Sequence, residues 1–248
     1  MPDKFRNIKL IIEYDGTDYA GWQIQKNALS VQEVLENALY SITNQRIALT
    51  AAGRTDSGVH AKGQVANFYT ESAIPADRFS YALNALLPND VRVLDSREVP
   101  REFHARFSAT GKRYRYSIVS HPQGIAISRQ YYHHVPFPLD IEAMIKASGY
   151  FEGTHDFYGF MSTGSRVKNT VRNLDKIRLD WQPPFLCIDL SGGGFLYNMV
   201  RIIVGTLLEV GAGRISPNDL PLIISSRDRN LAGPTAPAHG LCLMEVYY

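Results

Sequence analysis

The sequence predicts an α+β fold of two related halves, each a mainly antiparallel sheet with helices packed on one face. Three observations carry that expectation. The 248 residues are 45% hydrophobic and 20% charged, which supplies a core for one large domain or two small fused ones and excludes a disordered chain. Strand-like and helix-like segments mix along the whole length, and few strands are separated by a lone crossover helix, which argues against an all-parallel sheet. The order of segments is similar in the two halves, although no sequence repeat links them. The halves are expected at residues 1–105 and 106–248, with a linker near residues 100–110.

Residues 6–14 read as a strand with a continuous apolar centre, Leu10-Ile11-Ile12. A polar loop from Asp15 to Trp22 follows. The clearest helix opens on Ser30 and Glu33, a Ser-x-x-Glu capping box in which each side chain reaches the other's backbone N–H. It keeps Val31, Val34, Leu35, Ala38, Leu39 and Ile42 along one face. Residues 47–52 form a short strand, and a strand resumes over residues 64–69. Pro75 suits the first turn of a helix bearing Phe79, Ala82, Leu83 and Leu86; Pro88-Asn89-Asp90 ends it, and residues 91–99 return as a strand.

The second half opens with an alternating strand at residues 112–119 and another at 131–135. Asp140 caps a helix with Ile141, Met144 and Ile145. Residues 152–165 form a Gly- and Ser-containing loop. Residues 171–181 and 185–190 are a strand pair turned at Pro183-Pro184. An apolar helix over residues 196–210 is closed by Gly211-Ala212-Gly213. A shorter helix at 217–225 and a strand at 241–247 complete the chain.

Composition narrows the function classes. No uncharged apolar run approaches the ~18 residues of a membrane span, and the start, Met1 to Arg6, is polar rather than a signal peptide. A cytoplasmic protein with no membrane partner is the expectation. Cys187 and Cys242 stand far apart in apolar stretches and read as buried strand cysteines rather than a disulfide. No Cys-x-x-Cys or His-Glu-x-x-His occurs, and adjacent His133 and His134 fall on opposite faces of a strand, so no metal site is signalled. Net charge is 26 − 24 = +2, too small to prove an anionic partner. Its distribution says more. Residues 101–115 carry Arg101, Arg106, Lys112, Arg113 and Arg115 against Glu102 alone. Residues 166–178 carry Arg166, Lys168, Arg172, Lys176 and Arg178 against Asp175 alone. Arginine outnumbers lysine 18 to 8, and its planar fork matches phosphate oxygens. Solvated basic faces and a nucleic-acid surface fit these runs equally.

Four segments could carry chemistry. Gly53-Arg54-Thr55-Asp56-Ser57-Gly58-Val59-His60-Ala61 is a polar loop between strands whose glycines let a ligand approach the backbone. A guanidinium near Asp56 would favour the ionised carboxylate that a nucleophile or base requires. Spacing alone fits a tight turn with a local ion pair better than a reactive site. Arg113-Tyr114-Arg115-Tyr116 places arginines on one strand face and tyrosines on the other, which suits a phosphate and an unstacked base, and suits a half-buried strand somewhat better. Arg201 is a lone arginine in an apolar helix, either paired with an anion or on the exposed face. Asp15-Gly16-Thr17 after an apolar strand invites comparison with phosphatases of the haloacid dehalogenase type, but the nucleophile's position holds Glu13.

The nine-residue loop closely resembles the signature of the tRNA pseudouridine synthase A family, usually Gly-Arg-Thr-Asp-Ala-Gly-Val-His-Ala, with Ser57 in place of the alanine. The resemblance covers nearly the whole chain. It includes Tyr14-Asp15-Gly16-Thr17 with Gly21-Trp22-Gln23, Phe103 to Ala109 with Lys112 to Tyr116, Gly153 to Phe157, Phe195 to Arg201, and Ala238 to Leu243. It implies isomerisation of uridine to pseudouridine in the anticodon stem-loop of tRNA, at positions 38, 39 and 40. No metal or organic cofactor is implied. Asp56 falls on the essential aspartate, which either attacks the sugar or removes a ribose proton. Arg201 falls on its basic partner, Tyr114 on the tyrosine that stacks on the target base, Arg54 on the residue that helps extrude the base, and Leu241 on an apolar residue beside it. Arg113, Arg115, Arg166 and Lys168 are expected on the RNA. The resemblance also implies a central active-site cleft between the halves and a homodimer in which one tRNA spans both subunits. The rival reading is a catalytically inactive tRNA-binding chaperone of the same fold; the presence of Asp56 argues against it.

Overall fold

A computed structural model describes residues 5–164 and 167–248, so Arg166 lies outside the described residues. Among them are ten strands and five α-helices, an α+β fold. The chain divides into two compact units. One comprises the described residues through Thr110 together with Leu243–Tyr248; the other is Gly111–Cys242.

In the first unit, β1 (Arg6–Tyr14) pairs antiparallel with β3 (His60–Thr70) on one side and β4 (Val91–Val99) on the other. The short β2 (Thr50–Ala51) also pairs antiparallel with β3. The last strand, β10 (Leu241–Tyr247), neighbours β3. Ile8, Leu10, Ile12 and Tyr14 alternate into the core. α1 (Val31–Thr43) buries Val31, Leu35, Ala38 and Leu39, and Ser30 caps it by accepting the Glu33 N–H at 3.2 Å. α2 (Phe79–Asn84) is preceded by a 3₁₀ turn at Ala76–Arg78, and Phe79 meets Phe68 edge-on at 5.4 Å.

The other face of β1 is covered too, which its sequence did not announce. The Asn7 amide donates to Phe103 O at 2.8 Å and accepts from Asn67 at 2.9 Å, while the Ala105 N–H donates to Asn67 Oδ1 at 2.8 Å. The Lys9 ammonium lies 4.0 Å from the centre of the Tyr248 ring. Burial, then Arg97, lowers its pKa.

In the second unit, β5 (Gly111–Ser120), β9 (Phe185–Gly192), β8 (Val171–Gln182) and β7 (Gly153–Asp156) form a consecutive antiparallel set. β6 (His133–Val135) pairs with β5 in parallel. Tyr114, Tyr116, Ile118, Leu186, Ile188, Leu190, Leu174 and Ile177 point to the buried face. α3 (Ile141–Gly149) is capped by Asp140, which accepts the Ala143 N–H at 2.9 Å. α4 (Met199–Gly211) is buried at every position except Arg201 and Glu209. α5 (Leu220–Ser226) follows a 3₁₀ turn at Pro217–Asp219.

Three local expectations need correction. The loop expected at residues 152–165 contains β7 and a 3₁₀ turn at Tyr158–Phe160. The strand expected at 47–52 shrinks to two residues. The cysteines are half-buried rather than buried, and burial pushes the Cys187 thiol up.

Candidate active site

The signature loop leaves β2 and enters β3, and each of its turns is tied down. The Gln64 side-chain amide, fully buried, donates to Gly53 O at 2.9 Å. Thr55 turns inward, where its hydroxyl and the Tyr14 hydroxyl are 2.7 Å apart, and its carbonyl accepts the Trp22 N–H at 3.1 Å. Asp56 is half-buried and its carbonyl accepts the Val59 N–H at 3.1 Å, closing a turn through Gly58 at φ +75°. Only glycine takes that φ without strain. Arg54 is exposed, with no hydrogen bond or ion pair among the described residues. The local ion pair between Arg54 and Asp56 that spacing favoured is therefore absent.

A second loop, Asp15 to Trp22, backs the first. Tyr19 O accepts from the Gly58 N–H at 3.3 Å and the Ser57 hydroxyl at 3.2 Å, and the Tyr19 hydroxyl donates to Asp90 at 2.8 Å. Burial and the Asp90 carboxylate together push the Tyr19 phenol well above its ordinary pKa, so it stays a donor. A Cβ on Gly21 would stand 2.5 Å from Thr55 O, and one on Gly16 would collide with the Val59 carbonyl. The backbones of the two loops touch because these positions are glycine.

The remaining predicted residues belong to the second unit. Tyr114 is 8% exposed and meets Phe195 edge-on at 5.2 Å. Tyr116 beside it is fully buried and donates to Pro237 O at 2.8 Å. Arg113 and Arg115 lie on the opposite, polar face of β5, as alternation required. There they share one carboxylate: Arg115 grips Asp189 bidentately at 3.0 and 2.8 Å, and Arg113 stands 3.7 Å from it. Register puts Lys176, Arg178 and Asp180 of β8 on the same face. Asp189 had no distinguishing sequence signal beyond its place in an alternating strand.

Arg201 is neither buried nor fully exposed. Its Nε donates to Ala236 O at 2.6 Å and a terminal nitrogen to Asn198 Oδ1 at 2.8 Å. Asn198 sits at φ 60° just before α4, and the Ala236 N–H returns a bond to Arg201 O at 3.1 Å. A strap over residues 233–236 thus runs along α4. It approaches so closely that a Cβ on Gly205 would collide with Pro234 O, and the Gly233 N–H donates to the Thr206 hydroxyl at 2.8 Å. Arg229 holds the strap from outside through Gly233 O at 2.9 Å. Leu241 is buried at the start of β10, after a turn whose Gly240 leaves no room for a Cβ beside the Tyr116 ring. Lys168 is exposed. Among the described residues no group of three or more His, Cys, Asp or Glu could hold a metal ion, and no helix is long and apolar enough to cross a membrane.

A half-buried carboxylate on a rigid loop, and a sheet with a basic open face and aromatic rings beneath, are parts that an enzyme acting on nucleic acid needs. Comparison with known proteins specifies the class. A family model described as tRNA pseudouridine synthase matches residues 10–108 and 147–248. The tRNA pseudouridine synthase A of Acetivibrio thermocellus is 54% identical over 243 residues, covering 98% of this chain and 100% of the relative. That of Ruminiclostridium cellulolyticum is 52% identical over 244 residues, with the same coverage. That of Thermoanaerobacter sp. strain X514 is 47% identical over 243 residues, again at 98% and 100%. The chain belongs to the tRNA pseudouridine synthase family.

Proposed function

We propose that this protein converts uridine to pseudouridine in the anticodon stem-loop of tRNA, at positions 38, 39 and 40, and that Asp56 is its catalytic residue. The observation that carries the reading is the loop Gly53 to Ala61: a carboxylate presented at a fixed turn, in a chain whose relatives bear that activity's name end to end. In the reaction the bond from ribose C1′ to N1 breaks, the base rotates, and C1′ bonds to C5. C5 loses its proton and N1 gains one, so the product is an isomer and no oxidant, reductant or cofactor enters. Asp56 acts on the ribose, by attack on the sugar or by removal of a ribose proton.

The other assignments follow in the same reading. Arg201 balances the charge of Asp56; the oxygens of Ala236 and Asn198 orient its guanidinium, which supports a fixed direction for that charge. Arg54, exposed and without a hydrogen bond or ion pair among the described residues, is available to a phosphate of the extruded nucleotide. Tyr114 stacks on the base and Leu241 packs beside it. Arg113, Arg115, Arg166 and Lys168 meet the RNA backbone. The working enzyme is a cytoplasmic homodimer whose two subunits share one tRNA.

The test is to incubate the protein with uridine-tritiated tRNA and map pseudouridine at single-nucleotide resolution, beside Asp56→Asn. Wild type is expected to modify positions 38 to 40, and Asp56→Asn to bind tRNA with near wild-type affinity and form none. Binding without product by wild type would establish the inactive chaperone instead. Product from Asp56→Asn at more than a trace rate would remove Asp56 from the mechanism.

A further inference from the structure

His60 closes the signature loop and is 5% exposed. Its Nδ1 lies 2.9 Å from the Gly16 N–H and 3.1 Å from Asp15 Oδ1. One nitrogen cannot serve both. An N–H pointing at Nδ1 requires its lone pair, whereas an ion pair with Asp15 requires a proton there. The surroundings decide for the lone pair. Asp15 Oδ1 already accepts the Thr17 N–H at 3.0 Å and the Thr17 hydroxyl at 2.6 Å, whereas the Gly16 N–H is aimed at Nδ1. Nδ1 is therefore read as the acceptor of the Gly16 N–H.

That acceptor sits where the two loops meet. Gly16 is the residue on which a Cβ would collide with the Val59 carbonyl, and Gly16 O accepts the Tyr19 N–H at 3.1 Å. Tyr19 O in turn holds Ser57 and Gly58, the two residues that follow Asp56. Asp15 N is anchored to Asp90 O at 2.9 Å, and the Tyr19 hydroxyl to the Asp90 carboxylate. The His60–Gly16 bond thus closes a ring of contacts that runs from His60 through Gly16 and Tyr19 back to Ser57 and Gly58.

We propose that His60 is a positioning residue: through Nδ1 it clamps the backing loop at Gly16 and so fixes the direction in which Asp56 is presented. The inference rests on the catalytic role proposed for Asp56. It predicts an effect on the chemical step rather than on RNA affinity, because His60 is buried beneath the loop.

Three substitutions separate the roles of the ring. His60→Asn carries an acceptor oxygen close to the place of Nδ1, His60→Gln carries one nearer the place of Nε2, and His60→Ala carries none. Single-turnover rates with saturating enzyme, tRNA affinity and thermal midpoint are read for each. His60→Ala and His60→Gln are expected to lose about tenfold or more in rate, the scale at which small misplacements of a reacting group act, with affinity within about twofold of wild type. His60→Asn should recover most of the rate. Rates equal to wild type in His60→Ala, or recovery by His60→Gln and not His60→Asn, would overturn the proposal. So would a loss shared by all three that follows the thermal midpoint. If His60→Ala does not fold, the contrast between Asn and Gln still decides. Wild-type enzyme in the same assay keeps the two questions apart: no pseudouridine from wild type defeats the proposed function, whereas active wild type with equally active His60→Ala defeats only the clamp.

Discussion

Single residues here carry consequences that their neighbours set. Tyr114 is already nearly buried, so a base stacked on it needs its surroundings to move aside. Tyr114→Phe keeps the ring and should retain most of the single-turnover rate, while Tyr114→Leu loses a stacking partner worth about 1–3 kcal/mol per base. Equal, wild-type rates in both would deny the residue that role; equal deep losses would assign the work to the hydroxyl. His133 shows the same dependence in its proton. Burial first, then the charges of His239 and His134, pulls its pKa from 6.5 to about 4. The unfolded chain therefore binds a proton here between those values and the folded chain does not. Stability from this group is full above pH 6.5, falls as pH drops toward 4, and is level below. Urea midpoints at pH 7 and pH 4.5 should fall less in His133→Gln than in wild type. Residues whose role is set by folded neighbours were hardest to read from the sequence. Arg54 and Asp56 looked like a local pair because they are two apart, but Arg54 is exposed and pairs with nothing described, while Asp56 is half-buried. His60 was visible only as one letter of a signature, since nothing in Val59-His60-Ala61 reveals that its ring meets Gly16.

At the scale of elements, α4 and the strap over residues 233–236 behave as one part. Gly205 allows the contact, Thr206 bonds it, and the strap's Ala236 carbonyl receives Arg201. Gly205→Ala should force the strap off the helix, costing about 1–3 kcal/mol in stability as overpacking does, and should lower activity because Arg201 loses the Ala236 carbonyl that helps orient it. Gly213→Ala is the control: φ is +71° with no atom within 4 Å of the added carbon, so it should cost only the backbone strain of about 1–2 kcal/mol and leave the rate unchanged. Calorimetry with single-turnover rates distinguishes the two. Elements with strong local patterns were legible: the apolar centre of β1, the alternation of β5, and the caps at Ser30 and Asp140. β7 was not, because Gly153-Thr154-His155-Asp156 has neither alternation nor β-branched density and is a strand only by pairing with Val171 to Leu174. The strap left no trace either, since Gly-Pro-Thr-Ala-Pro reads as any loop.

For the molecule as a whole, tRNA binding should be steeply salt-dependent, but less so than the arginine count suggests. Arg113 and Arg115 spend part of their charge on Asp189, whereas Lys168 is exposed and Lys176 and Arg178 share the polar face. Each phosphate contact removed should flatten the log–log salt slope by about 0.7–0.9. Replacing Lys176 and Arg178 together by alanine should flatten it more than replacing Arg115 alone, and filter-binding titrations from low to high salt would show it; identical slopes would make that face a solvated one. Charge runs in the sequence showed that cations cluster, but cross-strand register decided which of them a carboxylate already holds.

The last strand has a consequence in time. Leu243–Tyr248 completes the unit that begins at the other end of the chain. The Tyr248 hydroxyl donates to Ala105 O at 2.8 Å, the Thr110 N–H donates to Tyr247 O at 2.9 Å, and Gly63 lies against the backbone of Met244. A ribosome adding about 5–20 residues per second makes residue 110 roughly 7–27 s before residue 243. During that interval the edge of β3 that β10 will cover is paired only at β2, and Lys9 lacks the ring that covers it. Nascent chains halted at residue 200 should therefore be cleaved by protease within residues 5–110, and chains extended beyond residue 248 should resist.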